Sequence, residues 1–171
     1  FVSLIENFRE TLVELTRTHT VFYVETREKS TAKISPDHRF SIDEITSDIV
    51  HYAELKIPEG VPYAMTGWSL GATAIAEAFP RLQRKPEAVL LIEPNSSFPF
   101  KGLALFLSGL VKYIYRPVVP FVKWYMRTFL IDIETDKEMY LINCRNLDTA
   151  EPVRLGKAVR QLSRYRMEGC P

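Results

Sequence analysis

The sequence predicts an α/β fold built around a parallel sheet. Three short runs, at positions 20–25, 61–66 and 88–93, are rich in β-branched, aromatic and aliphatic residues. Their length and uniform hydrophobicity are typical of strands that are buried on both faces. Segments with helical periodicity separate them, which favours β-α-β units. With 171 residues and 46% hydrophobic side chains, the chain can form the core of one ordinary domain.

Helix starts are predicted by three capping boxes, in which a Ser or Thr side chain and a Glu three residues later satisfy backbone N–H groups at the start of a helix. These boxes are Ser3 with Glu6, Ser41 with Glu44, and Thr135 with Glu138. Another helix is expected to follow the second strand directly at Leu70 and to end before Pro80, since proline cannot continue a helix without losing a hydrogen bond.

The composition changes near residue 100. Residues 1–100 hold 10 basic and 14 acidic side chains, whereas residues 101–171 hold 12 basic and 7 acidic ones. Only helices are expected in the second part, separated by prolines. We therefore predict an α/β core at 1–96 and a helical cap at 97–171. The overall net charge of +1 gives no reason to expect a nucleic-acid partner.

The two cysteines, Cys144 and Cys170, are too few for a disulfide framework and lack metal-ligand spacing. No metal or cofactor is therefore expected, and a reducing, cytoplasmic location is the simplest expectation.

The pentapeptide Gly67-Trp68-Ser69-Leu70-Gly71 has the G-x-S-x-G pattern of a nucleophile elbow, and it lies between a predicted strand and a predicted helix. In such an elbow the backbone of the serine is strained and its Oγ projects above the sheet. Glycine is expected to be required at positions 67 and 71, because a side chain at either position would collide across the turn. The helix directs its N-terminal N–H groups at the reacting centre.

With this motif the chain resembles the α/β-hydrolase superfamily, and the segment Glu25–Ser30 is similar to a loop pattern of that superfamily, D-x-R-G-x-G-x-S, without its glycines. The resemblance implies a partial α/β-hydrolase fold, with a parallel sheet flanked by helices and an α-helical cap insertion. It implies that Ser69 is the nucleophile and that the Leu70 backbone N–H forms half of an oxyanion hole. The earlier strands, the later strands and the catalytic histidine would lie outside the chain.

The base that should activate Ser69 is not evident in the sequence. The three histidines, His19, His38 and His51, all precede Ser69, whereas the superfamily order places the histidine last. Each histidine is expected to be a surface or junction residue, and only His38 is an alternative as the base, because its loop could fold over the active edge of the sheet. Glu93, after the third strand, is either the acid that orients a histidine or a cap of the following turn.

The expected function is that of a serine hydrolase, esterase-like or lipase-like, which acts on a small ester or acyl substrate through a Ser69 acyl-enzyme. Trp68 is expected either to line the acyl pocket or to pack in the core. The basic, aromatic stretch 101–127 is expected either to pack on the top edge of the sheet or to form a lid that covers a lipid-like substrate or contacts a membrane surface. Its first part, residues 103–115, is expected to be too short and interrupted to span a bilayer. The alternative function is a non-catalytic scaffold that binds a ligand or partner.

Overall fold

In a computed structural model of the chain, residues 4–35 and 37–167 are described. Within them there are six α-helices and one two-stranded sheet. The helices are α1 (Arg9–Leu15), α2 (Ile42–Lys56), α3 (Leu70–Ala78), α4 (Leu103–Tyr125), α5 (Lys137–Thr149) and α6 (Pro152–Leu162), and the strands are β1 (Ala64–Trp68) and β2 (Ala88–Ile92). Short 3₁₀ turns occupy Ile5–Phe8 and Phe79–Arg81, and a π-helical turn, Met126–Leu130, follows α4.

The predicted fold class is wrong. The described residues form a helix-rich fold in which β1 and β2 are the only strands. They pair in parallel, with a register that runs from Ala64 opposite Ala88 to Trp68 opposite Ile92. The first predicted strand, at 20–25, is a segment without regular secondary structure, and Phe22 and Val24 are 47% and 43% exposed. The sheet that would make this a partial α/β-hydrolase fold flanked by helices is therefore not formed.

Contacts divide the chain into two compact units, one of residues 1–34 with 106–156 and the other of 35–105 with 157–171. In the second unit α3 packs against both strands and against α2. Its core is formed by buried side chains of α2, α3 and α6 together with Phe40, Leu82 and Phe98. One face of the sheet in this unit is exposed, and Trp68 and Leu90 on it are 51% and 60% exposed.

The helix starts follow the sequence in part. Ser41 is the N-cap of α2, and its side chain accepts a hydrogen bond from the Glu44 N–H at 3.4 Å, as predicted. At α5 the N-cap is Asp136 without a side-chain bond, so the capping box of Thr135 and Glu138 is wrong. The box of Ser3 and Glu6 cannot be assessed, since Ser3 lies outside the described residues.

In the first unit, the loop after residues 20–25 has buried charges. Glu28 is 1% exposed, accepts a hydrogen bond from Thr26 Oγ1 at 2.7 Å and lies 3.7 Å from Lys29 Nζ. Burial lowers the pKa of Lys29 from its ordinary value, while the nearby Glu28 opposes that shift. Arg154 donates to the Lys29 and Ala32 carbonyls at 2.7 and 2.8 Å, and thereby fixes the loop.

Helix α4 continues through Pro117 and Pro120, where two separate helices were expected. The segment Leu105–Leu130 is consequently long and apolar enough to cross a membrane by length and composition alone, and 6% of its most apolar window is buried. The expectation that residues 103–115 form a helix too short and interrupted to span is therefore wrong, because these residues belong to one longer helix.

Candidate functional site

Ser69 lies in the turn between β1 and α3, as the motif predicts. Its backbone has φ 52° and ψ −113°, and among the described residues only Ser69 and Glu93 combine a positive φ with a side chain. Such conformations cost on the order of 1–3 kcal/mol and persist only where the surroundings impose them. Here the Ser69 N–H donates to the Ile92 carbonyl at 2.8 Å, which ties the turn to the end of β2.

Gly67 allows the end of β1 to approach the start of α3. A Cβ added to Gly67 would lie 2.7 Å from the carbonyl carbon of Gly71 and 2.8 Å from the Ala72 nitrogen. Both neighbours are backbone atoms that cannot move away cheaply. At Gly71, by contrast, an added Cβ would meet nothing within 4 Å, so the expectation that Gly71 avoids a collision is wrong.

The hydroxyl of Ser69 is half-buried and has a polar neighbour that the sequence did not reveal. Asn95 Nδ2 donates to Ser69 Oγ at 3.5 Å and to the Glu93 carbonyl at 3.2 Å. The Asn95 N–H donates to Thr73 Oγ1 at 2.8 Å, and Thr73 Oγ1 donates to the Ser69 carbonyl at 3.2 Å. Thr73 and Asn95 thus connect the serine turn to the loop after β2. The one available signal was that Asn95 follows a strand that ends at the same edge as Ser69.

The start of α3 supplies hydrogen-bond donors beside Ser69. Leu70 is the first residue of the helix, is 5% exposed, and has a backbone N–H that no hydrogen bond among the described residues uses. The first N–H groups of a helix have no partner within it, and they carry the positive end of its dipole. An anionic oxygen on a group attached to Ser69 Oγ would therefore be stabilised here.

Glu93 and Trp68 lie next to the turn and contact each other. Trp68 Nε1 donates to Glu93 Oε2 at 2.8 Å, and both side chains are exposed. The Glu93 carboxylate is therefore bound to the indole in this structure. The assignments of Glu93 as catalytic acid and of Trp68 as an acyl-pocket residue stay predictions.

A base at Ser69 is not found among the described contacts. None of the hydrogen bonds described joins a histidine to Ser69, and His51 is exposed on α2. His19 Nδ1 instead lies 2.8 Å from Thr18 Oγ1. Asn95 Nδ2 can orient the Ser69 hydroxyl but cannot accept its proton, because an amide nitrogen is only a donor.

Other parts of the described chain do not add a second centre of the same kind. A cavity of about 440 Å³ opens where the start of α2 faces residues 161–165, and no residue of the serine turn lines it. Its lining residues are Arg39, Ser41, Ile42, Asp43, Gln161, Arg164 and Tyr165. Within residues 4–35 and 37–167, no group of three or more His, Cys, Asp or Glu side chains could hold a metal ion.

Comparisons with known proteins add no relationship to this geometry. No family model, curated protein or solved structure gives a significant match to the chain. What Ser69 does is therefore inferred from its own surroundings.

Proposed function

We propose that the chain is a serine hydrolase in which Ser69 attacks an ester or related acyl substrate. The observation that supports this most directly is the strained backbone of Ser69 in a strand-turn-helix, a conformation that costs free energy and serves to present the side chain. A structural turn at this position would be formed more cheaply by glycine. The exposed apolar face beside Trp68 gives an acyl group a surface to contact.

In the proposed reaction Ser69 Oγ forms a bond to the carbonyl carbon, and the carbonyl electron pair moves to the oxygen. The Leu70 N–H stabilises that oxyanion. The intermediate then expels the alcohol, which takes up a proton, and leaves an acyl-Ser69. Water hydrolyses this ester to release the acid and restore the hydroxyl. Because Asn95 cannot accept the Ser69 proton, we expect attack by the described chain to depend on hydroxide and to be slow at neutral pH.

The first test is covalent labelling of the chain with a fluorophosphonate at several pH values. We expect one adduct, on Ser69, with a rate that rises about tenfold per pH unit because hydroxide takes the proton. Ser69→Ala should abolish this adduct, and Ser97, in the loop after β2, is the internal comparison. Labelling of Ser97 at the same rate as Ser69 would contradict the proposed nucleophile.

A second test measures the electrostatic stabilisation of an anion at position 69, and it does not require a catalytic base. In Ser69→Cys the thiol should have a pKa below the ordinary value of about 8.5, because the start of α3 stabilises a thiolate. Ser163→Cys, beyond the end of α6, is the matched control. The rate of alkylation against pH, followed at each cysteine by mass spectrometry, gives both pKa values. Equal pKa values, together with no Ser69 adduct, would favour a non-catalytic scaffold.

A further inference from the structure

The face of α4 that points away from its own unit is apolar and aromatic. Its exposed side chains recur at intervals of three, four or eight residues, which places them on one face of the helix. They are Phe106, Leu110, Tyr113, Phe121 and Trp124, with exposed fractions of 66%, 38%, 71%, 61% and 52%. The π-helical turn continues this surface, since Phe129 lies 5.9 Å from Trp124, centroid to centroid, and is 63% exposed.

The opposite face of α4 is held by other helices of the same unit. Val119 is buried, and Tyr115 Oη donates to the Leu147 carbonyl of α5 at 2.9 Å. Lys123 Nζ pairs with Asp148 at 2.7 Å. The backbone of α6 comes so close that a Cβ added to Gly156 would lie 2.5 Å from the Ser108 carbonyl oxygen. The helix therefore has one protein-contacting side and one apolar side that faces solvent.

The charges along α4 are all positive. Lys112, Arg116 and Arg127 are exposed. By helical spacing Arg116 and Arg127 lie along one edge of the aromatic face, and Lys112 lies beside Arg116 one turn earlier, on the side away from that face. No acidic residue occurs between positions 101 and 131. An apolar helix face with aromatic side chains and a basic edge is the pattern that binds an anionic lipid surface.

We propose that residues 106–130 lie in the plane of an anionic membrane surface, with the aromatic face in the lipid and the basic edge at the headgroups. The length of the helix alone would also permit it to span a bilayer. The in-plane arrangement follows from its other side, because Tyr115 and Lys123 bind polar and charged groups of α5 that a spanning helix would carry into hydrocarbon.

The first experiment measures binding of the whole chain to vesicles of phosphatidylcholine with and without phosphatidylglycerol. We expect binding that requires the anionic lipid and weakens with salt. Phe106→Ser with Phe121→Ser should weaken it at least about a hundredfold, since each substitution removes an aromatic ring from the lipid and puts a polar hydroxyl in its place. The control, Leu55→Ser with Leu141→Ser, removes exposed leucines from α2 and α5 and should bind as the unchanged chain does.

The basic edge has its own variant. Lys112→Gln, Arg116→Gln and Arg127→Gln together should weaken binding to the anionic vesicles by about fivefold per residue, because each nearby basic side chain contributes about 1 kcal/mol. Binding that is equally strong to pure phosphatidylcholine would overturn the proposal. So would binding that the aromatic variant leaves unchanged.

The depth of a single tryptophan in the bilayer, measured at two positions of α4, distinguishes a helix that lies in the membrane plane from one that spans the bilayer. The chain has two tryptophans, so Trp68→Phe leaves Trp124 alone, and adding Trp124→Phe with Tyr113→Trp moves the probe eleven positions along α4. Quenching by brominated lipids should place both probes at the same shallow depth. A depth difference approaching the helical separation of about 16 Å would show a spanning helix and overturn the proposal. The labelling of Ser69 is measured without lipid, and vesicle binding is measured without a fluorophosphonate. A failure of the membrane proposal can therefore be distinguished from a failure of the hydrolase proposal.

Discussion

The backbone of Ser69 offers a test of strain that is independent of any reaction. Its φ of 52° is accessible to glycine at little cost, whereas other residues pay about 1–3 kcal/mol. Ser69→Gly and Ser69→Ala both lose the Oγ contact with Asn95, but only the glycine relieves the strain. We expect Ser69→Gly to have a free energy of unfolding about 1 kcal/mol higher than Ser69→Ala, measured by denaturant titration. Equal values would show that the turn is not strained.

The two glycines of the turn should respond oppositely to alanine. Gly67→Ala places a Cβ against the backbone of Gly71 and Ala72, so it should lower the free energy of unfolding by about 1–3 kcal/mol. Gly71→Ala adds a methyl group in open space within a helix, and should raise the same quantity by about 0.5–1 kcal/mol. Thermal and denaturant unfolding of the pair provide the measurement. A destabilised Gly71→Ala with an unaffected Gly67→Ala would contradict the close approach.

The site was predictable as far as local sequence reaches. The turn at Ser69 was found because strand, glycine, serine and helix follow one another along the chain. The contact between Asn95 and Ser69 was not predicted, because it depends on the pairing of β1 with β2 and the two residues are 26 positions apart in the sequence. The steric role of Gly71 was mistaken for the same reason. Only the way in which β1 approaches the start of α3 shows that Gly67 is crowded and Gly71 is not.

At the scale of elements, α4 shows where a local rule fails. Proline removes one backbone hydrogen bond and crowds the carbonyl of the residue four positions earlier, so Pro117 and Pro120 predicted two helices. In the structure the helix continues, and the carbonyls that lose their donors belong to Tyr113 and Arg116, which are exposed. Water can satisfy them there, so the interruption costs less than it would in a core.

The same reasoning predicts the effect of replacing one proline. Pro120→Ala restores an N–H that can donate to the Arg116 carbonyl, so we expect the free energy of unfolding to rise by roughly 1–3 kcal/mol. Helical content, followed by far-ultraviolet circular dichroism, should stay the same or increase slightly. A less stable variant would show that the proline ring itself packs usefully against its surroundings.

At the scale of the whole molecule, the sequence specified which segments are apolar but not how many of them pair. The segments at 61–66 and 88–93 were predicted as strands and contribute β1 and β2, since α3 packs across both. The segment at 20–25 has the same composition but no strand partner, and Tyr23 instead contacts Phe8 at 6.1 Å between ring centroids. A strand needs a neighbour to satisfy its backbone groups, and composition does not supply that information.

The segment at 20–25 should make the stability of the whole chain sensitive to alkaline pH. Burial, reinforced by the nearby carboxylates of Glu25 and Glu6, raises the pKa of Tyr23 to about 12 from its ordinary value of 10.0. Between these values the folded chain keeps a proton that the unfolded chain releases. The contribution of Tyr23 to stability is therefore full below pH 10 and is lost as the pH rises to about 12. Tyr23→Phe has no phenol to ionise, so its free energy of unfolding should fall less steeply across that window. Denaturant titrations of both proteins between pH 9 and 12 measure the difference, and parallel curves would show that the Tyr23 phenol is not held in the protonated form by its surroundings.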